Sequence, residues 1–216
     1  MLKIQTLHKI ILGEELTFTN QSAMFWQREN ALIISDLHVG KSAHFRKNGI
    51  PVSSEVLLDD LQKLENLIQF FKAEKLIIVG DLFHAGTNSD LDIFCDFRNR
   101  FSELEIILIK GNHDRISKDI LQKICINSIE KSYEISPFTF VHEPEISTEN
   151  FLISGHIHPG ILLQQRKIQL IKLPCFAYSS NQLILPAFSK FTGLDYKSLD
   201  DNFIKIAFGK DLIFEV

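Results

Sequence analysis

The sequence predicts an α/β protein with two packed β-sheets flanked by helices, on three observations. Five apolar runs have the length of buried strands: Leu32 to Ser35, Leu76 to Val79, Glu105 to Lys110, Phe138 to Val141 and Phe151 to Ser154. Between the second and third motifs and before them lie stretches with helical spacing. From Gln164 onward the pattern is mainly that of strands and turns.

Taken in order, Leu2 to Asn30 alternates apolar and polar residues, with turn residues at Gly13 and Asn20, so short antiparallel strands should lead into the main sheet. Trp26 is assigned to the core or its rim. Ser53 to Lys75 reads as the clearest helix. Leu57, Leu61, Leu64, Ile68 and Phe71 form one stripe, while Asp59, Asp60, Lys63 and Glu65 lie elsewhere. Pro51, the serines and Glu55 mark its start. It should pack on the sheet and carry no chemistry. Ser89 to Phe101 predicts a second helix, with Leu91, Phe94, Phe97 or Arg98, and Phe101 inward and with Arg98 and Arg100 solvated. Ile116 to Ile124 predicts a short third helix. Lys167 to Leu173, Gln182 to Leu185, Phe203 to Phe208 and Leu212 to Val216 are candidate strands, the last two joined by a turn at Gly209-Lys210-Asp211.

No linker, repeat or low-complexity stretch interrupts the 216 residues, and 45% hydrophobic content suits one domain spanning 1–216. A net charge of −4 gives no global basic field to draw the chain onto nucleic acid. Cys95, Cys125 and Cys175 show no paired spacing, which suits a reducing compartment and buried apolar roles. With no signal-peptide pattern and no apolar stretch near the ~20 residues a bilayer requires, the expectation is a soluble cytoplasmic protein without membrane partners.

The chemistry lies where the apolar runs stop. They end in Asp36-Leu37-His38, Gly80-Asp81, Gly111-Asn112-His113-Asp114, His142 and Gly155-His156-Ile157-His158, which take up five of the eight histidines. A core would not choose these side chains without partners. In open α/β sheets, ligands gather outside the carboxyl ends of strands, so the five stops should converge on one crevice. Spacing by two puts Asp36 with His38, and His156 with His158, on one face of an extended segment. Oxygen and imidazole donors without thiolates suit divalent Mn, Fe or Zn. Lys41, His44, Arg46 and Lys47 follow the first stop. They read either as a solvated loop or short helix, or as a rim that grips phosphate. His84 reads equally as a group orienting a ligand or as a solvent-facing side chain.

The ordered set D-x-H, G-D, G-N-H-D, H and G-H-x-H resembles the calcineurin-like metallophosphoesterases, from Ala31 to about Pro159. Gly40 to Pro51, Leu173-Pro174-Cys175-Phe176, Leu185-Pro186-Ala187-Phe188 and Phe191-Thr192-Gly193 resemble a narrower branch, the bacterial ligase-associated DNA damage response endonucleases. The resemblance implies a four-layer sandwich of two mixed sheets flanked by helices, with the metal site at the carboxyl ends of strands. It implies two divalent ions, manganese foremost with iron or zinc as alternatives. Asp36, His38 and His158 would hold one ion, Asn112, His142 and His156 the other, and Asp81 would bridge them.

By the same resemblance His113 is the catalytic histidine, which Asp114 would then orient, and Lys41 and Arg46 are candidates for binding substrate phosphates; Arg115 reads equally as added charge near the phosphate or as a surface side chain. The implied substrate is DNA or a nucleotide, and the implied setting is DNA repair alongside a DNA ligase and a helicase. One departure stands out: Glu143 and Glu145 follow His142, where many members carry a small residue, and carboxylates near the metals would repel phosphate unless turned outward. The expected function is thus a dinuclear-metal phosphodiesterase. Hydrolysis of monoesters or small nucleotides is the alternative. A metal-free binding scaffold is disfavoured, because every ligand motif is intact.

Overall fold

The computed structural model describes residues 3–50, 52–53, 55–84, 89–114, 124, 126–145, 150–165, 169–190 and 192–216. The amino-terminal alternation forms a meander of β1 (Thr6–Ile11), β2 (Glu14–Thr19) and β3 (Met24–Trp26), which runs antiparallel into β4 (Ala31–Ile34). From β4 the sheet continues in parallel through β5 (Lys75–Val79), β6 (Glu105–Ile109) and β7 (Ser128–Glu130). Among the described residues, the connections that parallel pairing demands hold three helices: α1 (Lys41–Lys47) and α2 (Glu55–Phe71) before β5, and α3 (Ser89–Arg100) before β6.

The second sheet contains β8 (Ser132–Ile135), β9 (Phe138–Val141), β10 (Phe151–Ser154), β12 (Gln169–Tyr178), β13 (Gln182–Ile184), β14 (Ile204–Gly209) and β15 (Leu212–Glu215). Its order is β15-β14-β12-β13-β10-β9-β8, with β9, β10 and β13 parallel and the other pairs antiparallel. Both sheets are therefore mixed. β11 (Gly160–Gln165) pairs with the first half of β12 as an arm.

The period-two pleat sorts the strand residues between two cores. Leu32, Ile34, Leu76, Ile78, Ile106 and Leu108 face α2 and α3, whereas Ile33, Ile77, Val79, Ile107 and Ile109 face the second sheet. Each such side chain, buried on either face, contributes ~1.5–3 kcal/mol. Trp26 is fully buried between the sheets, with its ring edge-on to Phe138 at 4.9 Å and its Nε1 donating to Glu14 Oε2 at 2.8 Å. Beyond the second sheet, β11 and β12 gather a small cluster of Ile161, Cys175 and Ala207. Burial pushes the Cys175 thiol up to about 12, so it behaves as a packing residue. Cys125 and nearly all of the expected helix from Ile116 to Ile124 lie outside the described residues. No helix among the described residues is long and apolar enough to cross a membrane.

Two expectations about charged residues are corrected. Asp60 and Lys63 are buried rather than on the solvent face of α2, with 1% and 7% exposure. The reason lies far along the chain. The segment around Phe188 folds over α2, and Lys63 Nζ donates to the Phe188 carbonyl at 2.6 Å, sits 3.7 Å from the centroid of its ring, and lies 3.6 Å from Asp60 Oδ1. Arg98 is likewise buried rather than solvated, donating to the Phe101 carbonyl at the end of α3.

Burial pushes the Lys63 ammonium down to about 8 from 10.5. Between those pH values the folded protein has shed a proton that the unfolded chain still holds, so this group makes stability rise with pH. Lys63→Met removes the effect. Urea titrations at pH 8 and pH 10.5 should therefore show the stability difference between wild type and variant moving in favour of wild type. An unchanged difference would place Lys63 in solvent.

Candidate metal centre

Parallel strands deliver the predicted residues to one edge. Beyond β4 and β5 the chain continues in step, because Asp36 N donates to Gly80 O at 3.1 Å, His38 N to Asp81 O at 2.9 Å and Val39 N to Leu82 O at 2.8 Å. β9 and β10 bring His142 and the His156–His158 pair from the second sheet, joined by Gly155 N donating to His142 O at 3.1 Å. Asp36, His38, Asp81, His156 and His158 all take left-handed backbone angles, with φ of 53°, 53°, 48°, 67° and 55°. Each such residue costs ~1–2 kcal/mol, and together they aim the side chains into the crevice.

Glycine is required where the turns crowd against ligands. A Cβ on Gly80, at φ +81°, would overlap the His142 ring, and one on Gly111 would overlap Asp81 Oδ1. One on Gly155 would lie 2.7 Å from Asp36 Oδ2. These turns therefore accept no side chain.

The donor atoms of Asp36, His38 and His158 lie within 4.8 Å of one another, and so do those of Asp36, Asp81 and His142. His158 Nε2 is 3.2 Å from Asp36 Oδ1, yet neither buried atom has a hydrogen-bond partner. His142 Nε2 lies 3.1 Å from Asn112 Oδ1, 3.2 Å from His156 Nδ1 and 3.6 Å from Asp81 Oδ1, while its Nδ1 faces the Val79 carbonyl at 3.4 Å. The Asn112 side-chain amide lies 3.2 and 3.3 Å from the two Asp81 carboxylate oxygens, to which its nitrogen donates when the amide is turned. A cation would satisfy the unpartnered Asp36 Oδ1 and His158 Nε2, and the oxygen and imidazole set fits a divalent metal.

Electrostatics agree with that fit. Burial pushes the His38 imidazole down to about 3, which keeps it neutral and able to coordinate. Burial would raise the Asp36 carboxyl, but His158, His142 and His38 together hold it below the usual range. Asp36 is common to both clusters, whereas the residue expected to be shared was Asp81.

Asn112, His113 and His156 sit exposed at the mouth. His113 N donates to Asp81 Oδ1 at 2.9 Å, and its ring lies 5.7 Å from that of His38 and 4.7 Å from that of His84. Asp114 does not follow expectation. Its oxygens accept from Phe83 N and Gly111 N, each at 2.8 Å, so it fixes the backbone of the turn instead of contacting the His113 ring. Burial pushes its carboxyl up to about 6.

Arg46 also differs from the phosphate grip expected of it. Its guanidinium lies 3.2 Å from buried Asp90 and 3.3 Å from the Val52 carbonyl, which ties α1 to α3. Asp90, whose carboxylate also accepts from Ala43 N at 3.3 Å, escaped the sequence reading because acidic residues are common in the first turn of a helix.

Lys41 is half-buried within the fields of Asp36 and Asp81: burial lowers its pKa, and the two carboxylates act against that shift. Arg115 lies outside the described residues. His84 packs its ring against those of His38 and His113, at 5.5 and 4.7 Å, with its buried Nδ1 unpartnered; exposed His44 stands 5.3 Å from it. Glu143 and Glu145 are both exposed to solvent.

Gly80→Ala should weaken Mn²⁺ binding by ~10-fold or more, because the new methyl group displaces the His142 ring. Calorimetric titration with MnCl₂, with circular dichroism confirming the fold, measures this. Unchanged affinity would exclude His142 as a ligand.

Residues 30–159 match the family model described as calcineurin-like phosphoesterase. The nuclease MPE of Pseudomonas putida is similar in structure, with a TM-score of 0.84 and 26% identity over 98% of this chain and 100% of that one. Yfce, a phosphoesterase from E. coli, gives a TM-score of 0.48 and 14% identity over 86% of this chain and 97% of that one. No curated protein sequence matches significantly. With a metal-competent cluster at the ends of its parallel strands, this chain belongs to the calcineurin-like phosphoesterase family, the metal-dependent hydrolases of phosphoric esters.

Proposed function

We propose that the protein is a dinuclear-metal phosphodiesterase that cuts DNA or nucleotide diesters. The observation that carries this reading is the pair of donor clusters around two buried carboxylates, open to solvent on the side of Asn112, His113 and His156. Similarity to a nuclease over nearly the whole chain supports the choice of diester and of nucleic acid. The role in DNA repair beside a ligase and a helicase rests on the branch motifs around Gly40 to Pro51 and Leu173 to Phe176. Manganese is the ion we assign.

In this reading Asp36, His38 and His158 would hold one ion, Asn112, His142 and His156 the other, and Asp81 would serve both. Asp36, shared by both clusters, is the alternative bridge. When bound, such ions polarise phosphoryl oxygens and lower the pKa of a water molecule within reach. His113 stands beside the centre without serving as a ligand, held by its backbone bond to Asp81 and by its ring contact with His84. There it donates a proton to the leaving oxygen or stabilises charge on the phosphate. Asp114 keeps the turn that presents it, through Gly111 N and Phe83 N. Lys41 attracts the substrate phosphate, and Arg46 positions Lys41 by anchoring α1 to Asp90.

His113→Ala should retain metal while kcat falls ~10²–10⁴-fold. A loss that shrinks for nitrophenolate leaving groups marks proton donation, and a uniform loss marks charge stabilisation. Loss of metal along with activity would show that His113 is a ligand. Asp81→Asn should lower occupancy at both ions in elemental analysis, whereas two tightly held metals would pass the bridging role to Asp36.

The described segments between the motifs are helices packed on the first sheet and short strands, with no cap to close around a terminal phosphate. Higher kcat/KM for bis-(nitrophenyl) phosphate than for nitrophenyl phosphate is therefore expected. A clear preference for the monoester would favour hydrolysis of small nucleotides.

A further inference from the structure

A cavity of about 550 Å³ lies apart from the metal centre and contains none of its ligands. That volume falls within the ~300–1,000 Å³ of small-molecule sites. The two sites share a wall. Ala187, Phe188 and Ser189 line the cavity, while Phe188 N donates to Ser35 O at 2.8 Å and Ser189 N to Asp36 O at 3.3 Å.

The lining combines three kinds of chemistry. Lys63, Lys190 and Lys210 are present and no acidic residue is among the described lining, in a chain whose net charge is −4. Leu173, Pro174 and Leu194 are half-buried and offer apolar surface. Gln21 and Ser22 add hydrogen-bonding groups. The wall is preorganised by Asn20, whose amide accepts from Gln5 N at 2.9 Å and donates to Lys3 O at 3.1 Å and to Lys210 O at 2.7 Å, pinning the β14–β15 turn to the β2–β3 turn.

Charge balance narrows the ligand. Asp60, 3.6 Å from Lys63, offsets that buried ammonium, so the attraction left for a ligand comes from Lys190 and Lys210. Asp59 lies 3.6 Å from Lys190, but both groups are exposed and solvent screens them. A bare inorganic anion would need neither this volume nor the apolar wall. A purely apolar ligand would gain nothing from the ammonium groups. A phosphate carries nearly two charges near neutral pH, which suits two lysines, and a planar base suits the Leu173–Pro174–Leu194 surface.

We propose that this cavity is a second binding site for a nucleoside monophosphate group, its phosphate held by Lys190 and Lys210 and its base packed on Leu173, Pro174 and Leu194. The group comes either from a free mononucleotide or from the last nucleotide of a strand. The site does not depend on the hydrolytic reading, since binding there needs no turnover.

The test is calorimetric titration of the manganese-loaded protein with a 5′-mononucleotide, the matching nucleoside, inorganic phosphate and a tetranucleotide. The double variant Lys190→Glu/Lys210→Glu should bind the nucleotide at least ~10-fold more weakly, because two attractions become repulsions. Both positions are exposed and lie outside the metal centre, so turnover of bis-(nitrophenyl) phosphate should be unchanged. Binding of the mononucleotide alone identifies the free molecule as the source, and binding of the tetranucleotide alone identifies a strand end.

Nucleotide affinity unaltered in the variant would place the ligand at the metal centre and overturn the proposal. So would a nucleoside or inorganic phosphate that binds as tightly as the monophosphate, or no binding by any nucleotide. Absence of diester turnover in wild type would instead count against the hydrolytic reading and leave the calorimetry intact.

Discussion

Two carboxylates, Asp36 and Asp81, are buried together, and the rest of the site answers to that fact. An ionised carboxylate removed from water costs several kcal/mol unless it is paired. Among the described residues the groups closest to them are imidazoles, of which His38 is kept neutral by burial, and a lysine in their field, Lys41, is itself partly desolvated. Divalent cations remain the natural counter-charge. Metal dependence is thus built into the fold's electrostatics, and the left-handed turns and side-chain-free glycines follow from crowding so many donors around two acids.

Convergence depends on both sheets at once. β4, β5 and β6 deliver Asp36, Asp81 and Asn112 from one sheet, while β9 and β10 deliver His142, His156 and His158 from the other. The relative placement of the two ligand groups is therefore set by the core between the sheets, where Trp26, Phe138, Phe140, Ile77 and Ile153 interlock. Interiors packed to crystal-like density transmit small shifts. A cavity opened there would move one set of ligands against the other without touching either.

The helices carry a second layer of charge that acts through position. Asp90 on α3 holds α1 through Arg46, and Lys63 on α2 holds the 187–190 segment through the Phe188 carbonyl. That segment in turn bonds to the backbone of Ser35 and Asp36. Charges distant in sequence thus fix the backbone from which the candidate metal ligands project.

The sequence alone located the strands that end in donor motifs, the main helix and the candidate metal donors. Apolar runs of strand length report burial on both faces, and each donor motif sits at the end of one, so local pattern carried the information. It also identified the glycines beside the donors, though not that Gly80 and Gly111 must be bare because the His142 ring and Asp81 press on them. Only the tertiary structure decided the fate of the isolated charges. Asp60 and Lys63 are buried because the Phe188 segment, more than a hundred residues later, covers α2. Asp114 serves the backbone because Phe83 N reaches it from the neighbouring turn, and Arg46 meets Asp90 on another helix. A charged side chain satisfies its hydrogen bonds with whatever the fold brings near, and that partner leaves no periodic trace in the chain.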